Sequence, residues 1–219
     1  RRNRSAKFIR NLVRETSFSV DDLIYPIFIL PGKNKEQPIN SMPGRHRYSV
    51  DVLIRKVEKL HKQGLNAIAI FPVIDSKKKS KDAKEAFNPK GLVQTAVKVI
   101  KKELPDLGGI TDIALDPYTI SGHDGLIDKK GYVLNDKTVE VLQKQAISHA
   151  EAGSDIVAPS DMMDGRILAI RNSLEKNNFH NTKILSYAAK YASNLYGPFR
   201  DAIDSRKNLS ESSKETYQM

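Results

Sequence analysis

Apolar residues in this chain gather in short, almost unbroken runs, separated by longer amphipathic stretches. The runs lie at residues 23–30, 67–73, 110–116, 156–159 and 184–189. Continuity of this kind suits strands buried on both faces, as in a parallel sheet. Pro26 interrupts the first run and fits a strand only at an edge or bulge. The stretches between the runs carry helical spacing. Residues 51–63 place Leu53, Val57 and Leu60 on one face, with Ser49 as the expected N-cap and Gly64 as the stop. Residues 91–103, 138–152 and 163–176 read the same way, closed by Leu104-Pro105, by Gly153 and by Lys176.

Strand, helix, strand, helix predicts a parallel α/β protein. No Gly-x-Gly-x-x-Gly follows the first strand and no Walker A loop occurs, so a nucleotide-binding doubly wound sheet lacks its main signature. A (β/α) barrel remains, whose chemistry would lie at the C-terminal ends of the strands. Five units do not close a barrel of eight, which leaves an open sheet or an incomplete chain. Residues 1–22 read as an arm with Phe8, Ile9, Leu12 and Val13 on one helical face, too short to be a domain and expected to pack on something else, such as another subunit. Residues 23–219 form the partial barrel, with a lid over 191–216.

Charge changes the picture only modestly. The 36 Lys and Arg against 26 Asp and Glu give +10, which invites a nucleic-acid reading. The two basic clusters, in the first ten residues and at Lys77–Lys79, Lys81 and Lys84, carry no interleaved aromatics for base stacking. We therefore expect no nucleic-acid partner, and a positive field that would suit an anionic small molecule. No apolar run reaches the roughly 18 residues of a membrane span. The absence of cysteine excludes disulfides, thiolate metal sites and a cysteine nucleophile from this sequence. A cytoplasmic location is the expectation.

The polar residues with chemical interest stand at strand ends. Asp112 and Asp116 share a face of the third run with Ala114, and acid in a buried strand is costly unless paired or functional. Asp124 follows in a Gly-rich loop that could equally need Asp for its turns. After the fourth run come Ser160 and Asp161, one of which can cap the next helix and leave the other to face the barrel mouth. Lys190 ends the fifth. A lysine there suits Schiff-base chemistry, in which desolvation or a neighbouring cation lowers the amine's pKa so that it attacks a carbonyl. Arg200 and Lys214 are cations that a loop over the site could bring to a substrate carboxylate.

Six blocks then give a resemblance. Residues 41–44 (SMPG), 115–119 (LDPYT), 122–125 (GHDG), 158–166 (APSDMMDGR), 186–193 (SYAAKYAS) and 196–200 (YGPFR) resemble, in order, the delta-aminolevulinic acid dehydratase (porphobilinogen synthase) family. A class I aldolase on the same barrel would also use a strand-end lysine, but would not carry the SDMMDGR and YGPFR blocks.

The resemblance implies a (β/α)8 TIM barrel and a homo-octamer assembled through the N-terminal arm. It implies a hydro-lyase that condenses two 5-aminolevulinate molecules to porphobilinogen for haem and other tetrapyrroles, with no organic cofactor. Lys190 matches the first of two Schiff-base lysines. Arg200 and Lys214 match lid cations that bind this substrate's carboxylate, and Asp112 and Ser160 match polar residues of the site floor. The second lysine follows a sixth strand in the family, so the chain reads as an N-terminal fragment of about two-thirds of the whole. At the three cysteine positions of zinc-using members stand Ala114, Asp116 and Asp124. That replacement implies no zinc; the two carboxylates suit Mg2+, and the family's allosteric magnesium site depends on a residue beyond Met219.

Overall fold

The structure is a computed structural model that describes residues 1–204 and 213–219. Among these, seven strands form one sheet: β1 (Ile24–Ile29), β2 (Glu36–Pro38), β3 (His46–Tyr48), β4 (Ala67–Pro72), β5 (Gly108–Ile113), β6 (Ile156–Pro159) and β7 (Lys183–Ile184). Their order is β2-β3-β1-β4-β5-β6-β7, parallel throughout except for the antiparallel β2–β3 pair. From β1 through β7 along β4, β5 and β6, neighbours in space follow chain order without reversal. That is barrel winding; a doubly wound sheet would reverse at a switch point.

The helices confirm it by packing on one face. Ile27 and Ile29 of β1 and Ile68 and Ile70 of β4 bury against Leu53 and Val57 of α2 (Val50–His61) and Val93, Val97 and Ile100 of α3 (Leu92–Glu103), the earlier α1 being Lys7–Leu12. Ile113 and Val157 bury against Leu142 and Ala146 of α4 (Asn135–Glu151) and Ile170 and Leu174 of α5 (Arg166–Lys176). By the two-residue period of a strand, Phe28, Phe71, Asp112 and Ser160 then fall on the opposite face, the inside of a barrel. The architecture is an α/β sheet of the TIM-barrel class, open over this chain.

Several local readings change. Pro26 lies within β1 and pairs with Ala69, but β3 reaches only Phe28 and Ile29, so Pro26 sits where β1 has a single neighbour. Ser49 stands at the N-cap of α2 yet makes no side-chain cap; its hydroxyl accepts instead from the Lys35 amide at 2.9 Å. Helix α5 begins at Arg166, three residues after the predicted start, because Met162 and Gly165 take left-handed backbone (φ 70° and 74°). The fifth predicted strand is assigned only at Lys183–Ile184, though Leu185 and Tyr187 still donate to Val157 and Pro159 carbonyls at 2.9 and 3.1 Å. The arm holds α1, with Phe8, Leu12 and Phe18 each more than 70% exposed.

Candidate active site

Six of the predicted residues, Asp112, Asp116, Asp124, Ser160, Lys190 and Lys214, meet in one cluster. β5 and β6 are in register, with Asp112 beside Ala158, and the Ser160 hydroxyl donates to Asp112 Oδ1 at 2.7 Å. Lys190, on the chain that follows β7, is 8% exposed. Its Nζ donates to Asp124 Oδ1 at 2.7 Å and to the Ser160 carbonyl at 2.8 Å. The Tyr196 ring lies 5.9 Å from the same ammonium.

Asp124 is the hub. Its second oxygen accepts from Lys214 Nζ at 2.6 Å and from the Tyr217 hydroxyl at 2.7 Å, and Gln218 adds a contact at 3.4 Å. Lys214 Nζ also lies 3.8 Å from Asp116 Oδ2. The Gly-rich loop makes this possible. The Asp124 carbonyl accepts from the Leu115 amide at 3.1 Å, and the Thr119 hydroxyl holds the His123 carbonyl at 3.0 Å. A Cβ at Gly125 would lie 2.7 Å from both Thr138 and Val133 side chains, so glycine lets the loop close over α4. The terminal residues bind alongside Lys190: Met219 donates to the Lys190 carbonyl at 3.0 Å and receives the Ala192 amide at 2.7 Å.

The electrostatics follow from three carboxylates and two ammonium groups out of water. Burial pushes the Asp112 carboxyl up to about 7, helped by Asp116 and Asp124 and opposed by Lys190 and Ser160. Burial and Asp124 likewise raise Asp116. Burial alone would raise Asp124, but Lys190 and Lys214 outweigh it and hold the carboxyl well below the ordinary range. Lys190 differs from the sequence expectation. Burial would lower its pKa, but Asp124, Asp116 and Asp112 outweigh desolvation and raise it, so the resting amine is a protonated ion-pair partner.

Other residues fall where the sequence could not place them. Asp161 is fully buried, accepts from the Met163 amide at 2.8 Å and pairs with Arg166 Nε at 3.2 Å. It organises the turn into α5 and leaves Ser160 to face Asp112. Arg200 lies on α6 (Gly197–Ala202) and lines, with Ser193, Asn194, Lys214 and Glu215, a cavity of about 140 Å³. Of the predicted lid, residues 205–212 lie outside the described ones. Tyr217 and Gln218 had no signal in the sequence.

Among the described residues, no group of three or more His, Cys, Asp or Glu side chains is arranged to hold a metal ion. Asp116 and Asp124, the carboxylates expected to suit Mg2+, do not fit that role as arranged, because the Lys214 ammonium lies 2.6 Å from Asp124 Oδ2 and 3.8 Å from Asp116 Oδ2.

The family model described as delta-aminolevulinic acid dehydratase matches residues 1–219. The chain belongs to the delta-aminolevulinic acid dehydratase family. It is 52% identical to the delta-aminolevulinic acid dehydratase of Bradyrhizobium diazoefficiens over all 219 residues, which span 62% of that relative. The Methanothermus sociabilis enzyme of the same name is 51% identical, with 67% of its length matched. Among solved structures, the delta-aminolevulinic acid dehydratase (porphobilinogen synthase) of Toxoplasma gondii, in complex with the reaction product porphobilinogen, superposes with a TM-score of 0.96 at 46% identity. That match covers 100% of this chain and 62% of the other. No helix among the described residues is long and apolar enough to cross a membrane.

Proposed function

We propose that the full-length protein is a porphobilinogen synthase, condensing two molecules of 5-aminolevulinate into porphobilinogen with loss of two waters. The observation that carries this reading is Lys190: a buried lysine on the segment that follows β7, paired with Asp124 and under the field of Asp116 and Asp112, in a chain of this family. The direct test is to supply the full-length protein with 5-aminolevulinate and measure porphobilinogen. Failure to form it under any metal condition would remove the reading.

In this reading Lys190 first gives up a proton. Its amine then attacks the ketone carbon of 5-aminolevulinate, and the carbinolamine loses water to leave a Schiff base. Asp112, at about 7, is the carboxyl of the cluster suited to take and return protons near neutrality. Arg200 and Lys214 receive the substrate carboxylate. The second Schiff-base lysine is expected beyond Met219, as the resemblance implies.

The rate should rise with pH as Asp112 ionises, with an apparent pKa near 7. The Ser160 hydroxyl bonds to the Asp112 carboxylate and so favours the ionised form. Ser160→Ala should raise that pKa and move the acid limb of the kcat/KM profile to higher pH. A hydrogen bond to a charged group is worth about 1.5–3 kcal/mol, so the displacement should be about one to two pH units. An unmoved limb would assign it to another group.

Lys214 also bears on metal use. Between Asp116 and Asp124, positions that hold cysteines in zinc-using members, this chain puts an ammonium group. We read it as a positive charge standing, before substrate binds, where a bound cation would otherwise be. Full-length protein dialysed free of metal should therefore show no gain from stoichiometric Zn2+, and should respond to millimolar Mg2+ through a site elsewhere. Dependence on stoichiometric zinc would overturn this part.

The exposed Phe8, Leu12 and Phe18 support an arm over residues 1–22 that docks on a second copy, in a homo-octamer. We place the enzyme in the cytoplasm.

A further inference from the structure

The loop and strand that precede α2 are tied to the element carrying Arg200, although about 155 residues separate them. Arg47, in β3, is 8% exposed. A buried guanidinium needs partners of its own. Its Nε donates to the Ala202 carbonyl at 2.6 Å and its Nη2 to the Asp201 carbonyl. Those are end carbonyls of α6; the Asp201 carbonyl also accepts from the Asp204 amide at 3.1 Å.

Ser41 holds the same helix as well. Its hydroxyl donates to the Asp201 carboxylate with the Pro198 carbonyl 3.4 Å away, and its amide reaches Asp201 Oδ2 at 3.4 Å. The sheet supplies the floor. Arg47 pairs in register with Phe28, and Phe28 with Phe71, so the three side chains leave the sheet on one face. Phe199 of α6 packs edge-on to Phe71 at 5.1 Å and to Phe28 at 6.0 Å.

We propose that Arg47 and Ser41 are positioning residues that latch α6 over the barrel interior and so fix where Arg200 meets the substrate carboxylate. This rests on the reading of Arg200 given above. A guanidinium on two helix-end carbonyls adds cationic charge at the negative end of the helix dipole, and its planar fork holds the helix in one orientation. The aromatic contacts alone would hold α6 near the sheet without fixing its rotation.

The test uses full-length protein carrying Arg47→Ala, Ser41→Ala, Arg200→Ala and the Arg47→Ala/Arg200→Ala pair. Arg47→Ala should raise KM for 5-aminolevulinate about tenfold, with kcat changed by less than about threefold, as loss of a charged hydrogen bond acting on binding would. In the Arg200→Ala background it should add almost nothing, because its effect passes through Arg200. Amide exchange over residues 197–204, followed without substrate, should quicken in Arg47→Ala and, to a lesser degree, in Ser41→Ala. If Arg47→Ala does not fold, Ser41→Ala carries the same measurements, since Ser41 is exposed and removes only bonds to α6. Unchanged exchange over α6 in the folded variants would overturn the latch, as would KM effects that multiply in the double variant. If Arg200→Ala leaves KM unchanged, the assignment of Arg200 fails instead, and exchange alone then decides the latch.

Discussion

Lys190→Met in the full-length protein is expected to abolish porphobilinogen formation, by three orders of magnitude or more, on the order of what loss of a covalent nucleophile costs. The fold should survive. The Lys190 head group touches Asp124, the Ser160 carbonyl and the Tyr196 ring, and its backbone keeps its bond to Met219. Methionine fills a similar volume. The substitution also leaves Asp124 paired to Lys214 and Tyr217. Turnover measured beside a thermal melt separates the two effects. More than roughly a tenth of wild-type turnover would remove Lys190 from the role of nucleophile.

Asp124→Asn should have the largest effect on stability. Two buried ammonium groups, Lys190 and Lys214, rest on this one carboxylate at 2.7 and 2.6 Å. Removing one partner of a buried pair costs about 3–5 kcal/mol, because the charge left behind has no compensation. At 2–4 °C per kcal/mol for a chain of this size, the melting temperature should fall by on the order of 10 °C. The pH dependence gives the sign. The folded pKa of Asp124 lies below its unfolded value, so its contribution is complete above the unfolded pKa and is lost as pH falls through the folded one. The gap between wild type and variant should thus be full at pH 7 and narrow in acid. A melt that does not change at pH 7 would mean that the lysines find other partners.

The sequence made some of this legible and hid the rest for physical reasons. Four of the long strands announce themselves because burial on both faces demands continuous apolar runs. β2 and β3 do not, because Glu36-Gln37-Pro38 and His46-Arg47-Tyr48 form a short, mostly polar pair at the sheet edge. Lys190 and Ser160 could be singled out because a polar residue closing an apolar run is conspicuous, and Asp112 because acid inside such a run is costly. Tyr217 and Gln218 were not, because they reach Asp124 across 93 and 94 residues and nothing local marks them. Nothing local marks Arg47 either, one of 36 Lys and Arg, because its partners lie on α6 about 155 residues away. The protonation of Lys190 was misjudged for a related reason. Desolvation of one lysine can be anticipated from its apolar neighbours, but the balance against three carboxylates requires knowing that all three converge.

The central claim is that Lys190 forms a Schiff base with 5-aminolevulinate, and reductive trapping tests it most directly. Full-length protein is incubated with 5-aminolevulinate, treated with borohydride, digested and analysed by mass spectrometry. The account predicts the mass of reduced, substrate-bearing lysine on the peptide containing Lys190, dependent on both reagents and missing from Lys190→Met. Trapping confined to other lysines, or a Lys190 peptide that stays unmodified while porphobilinogen is being formed, would contradict it.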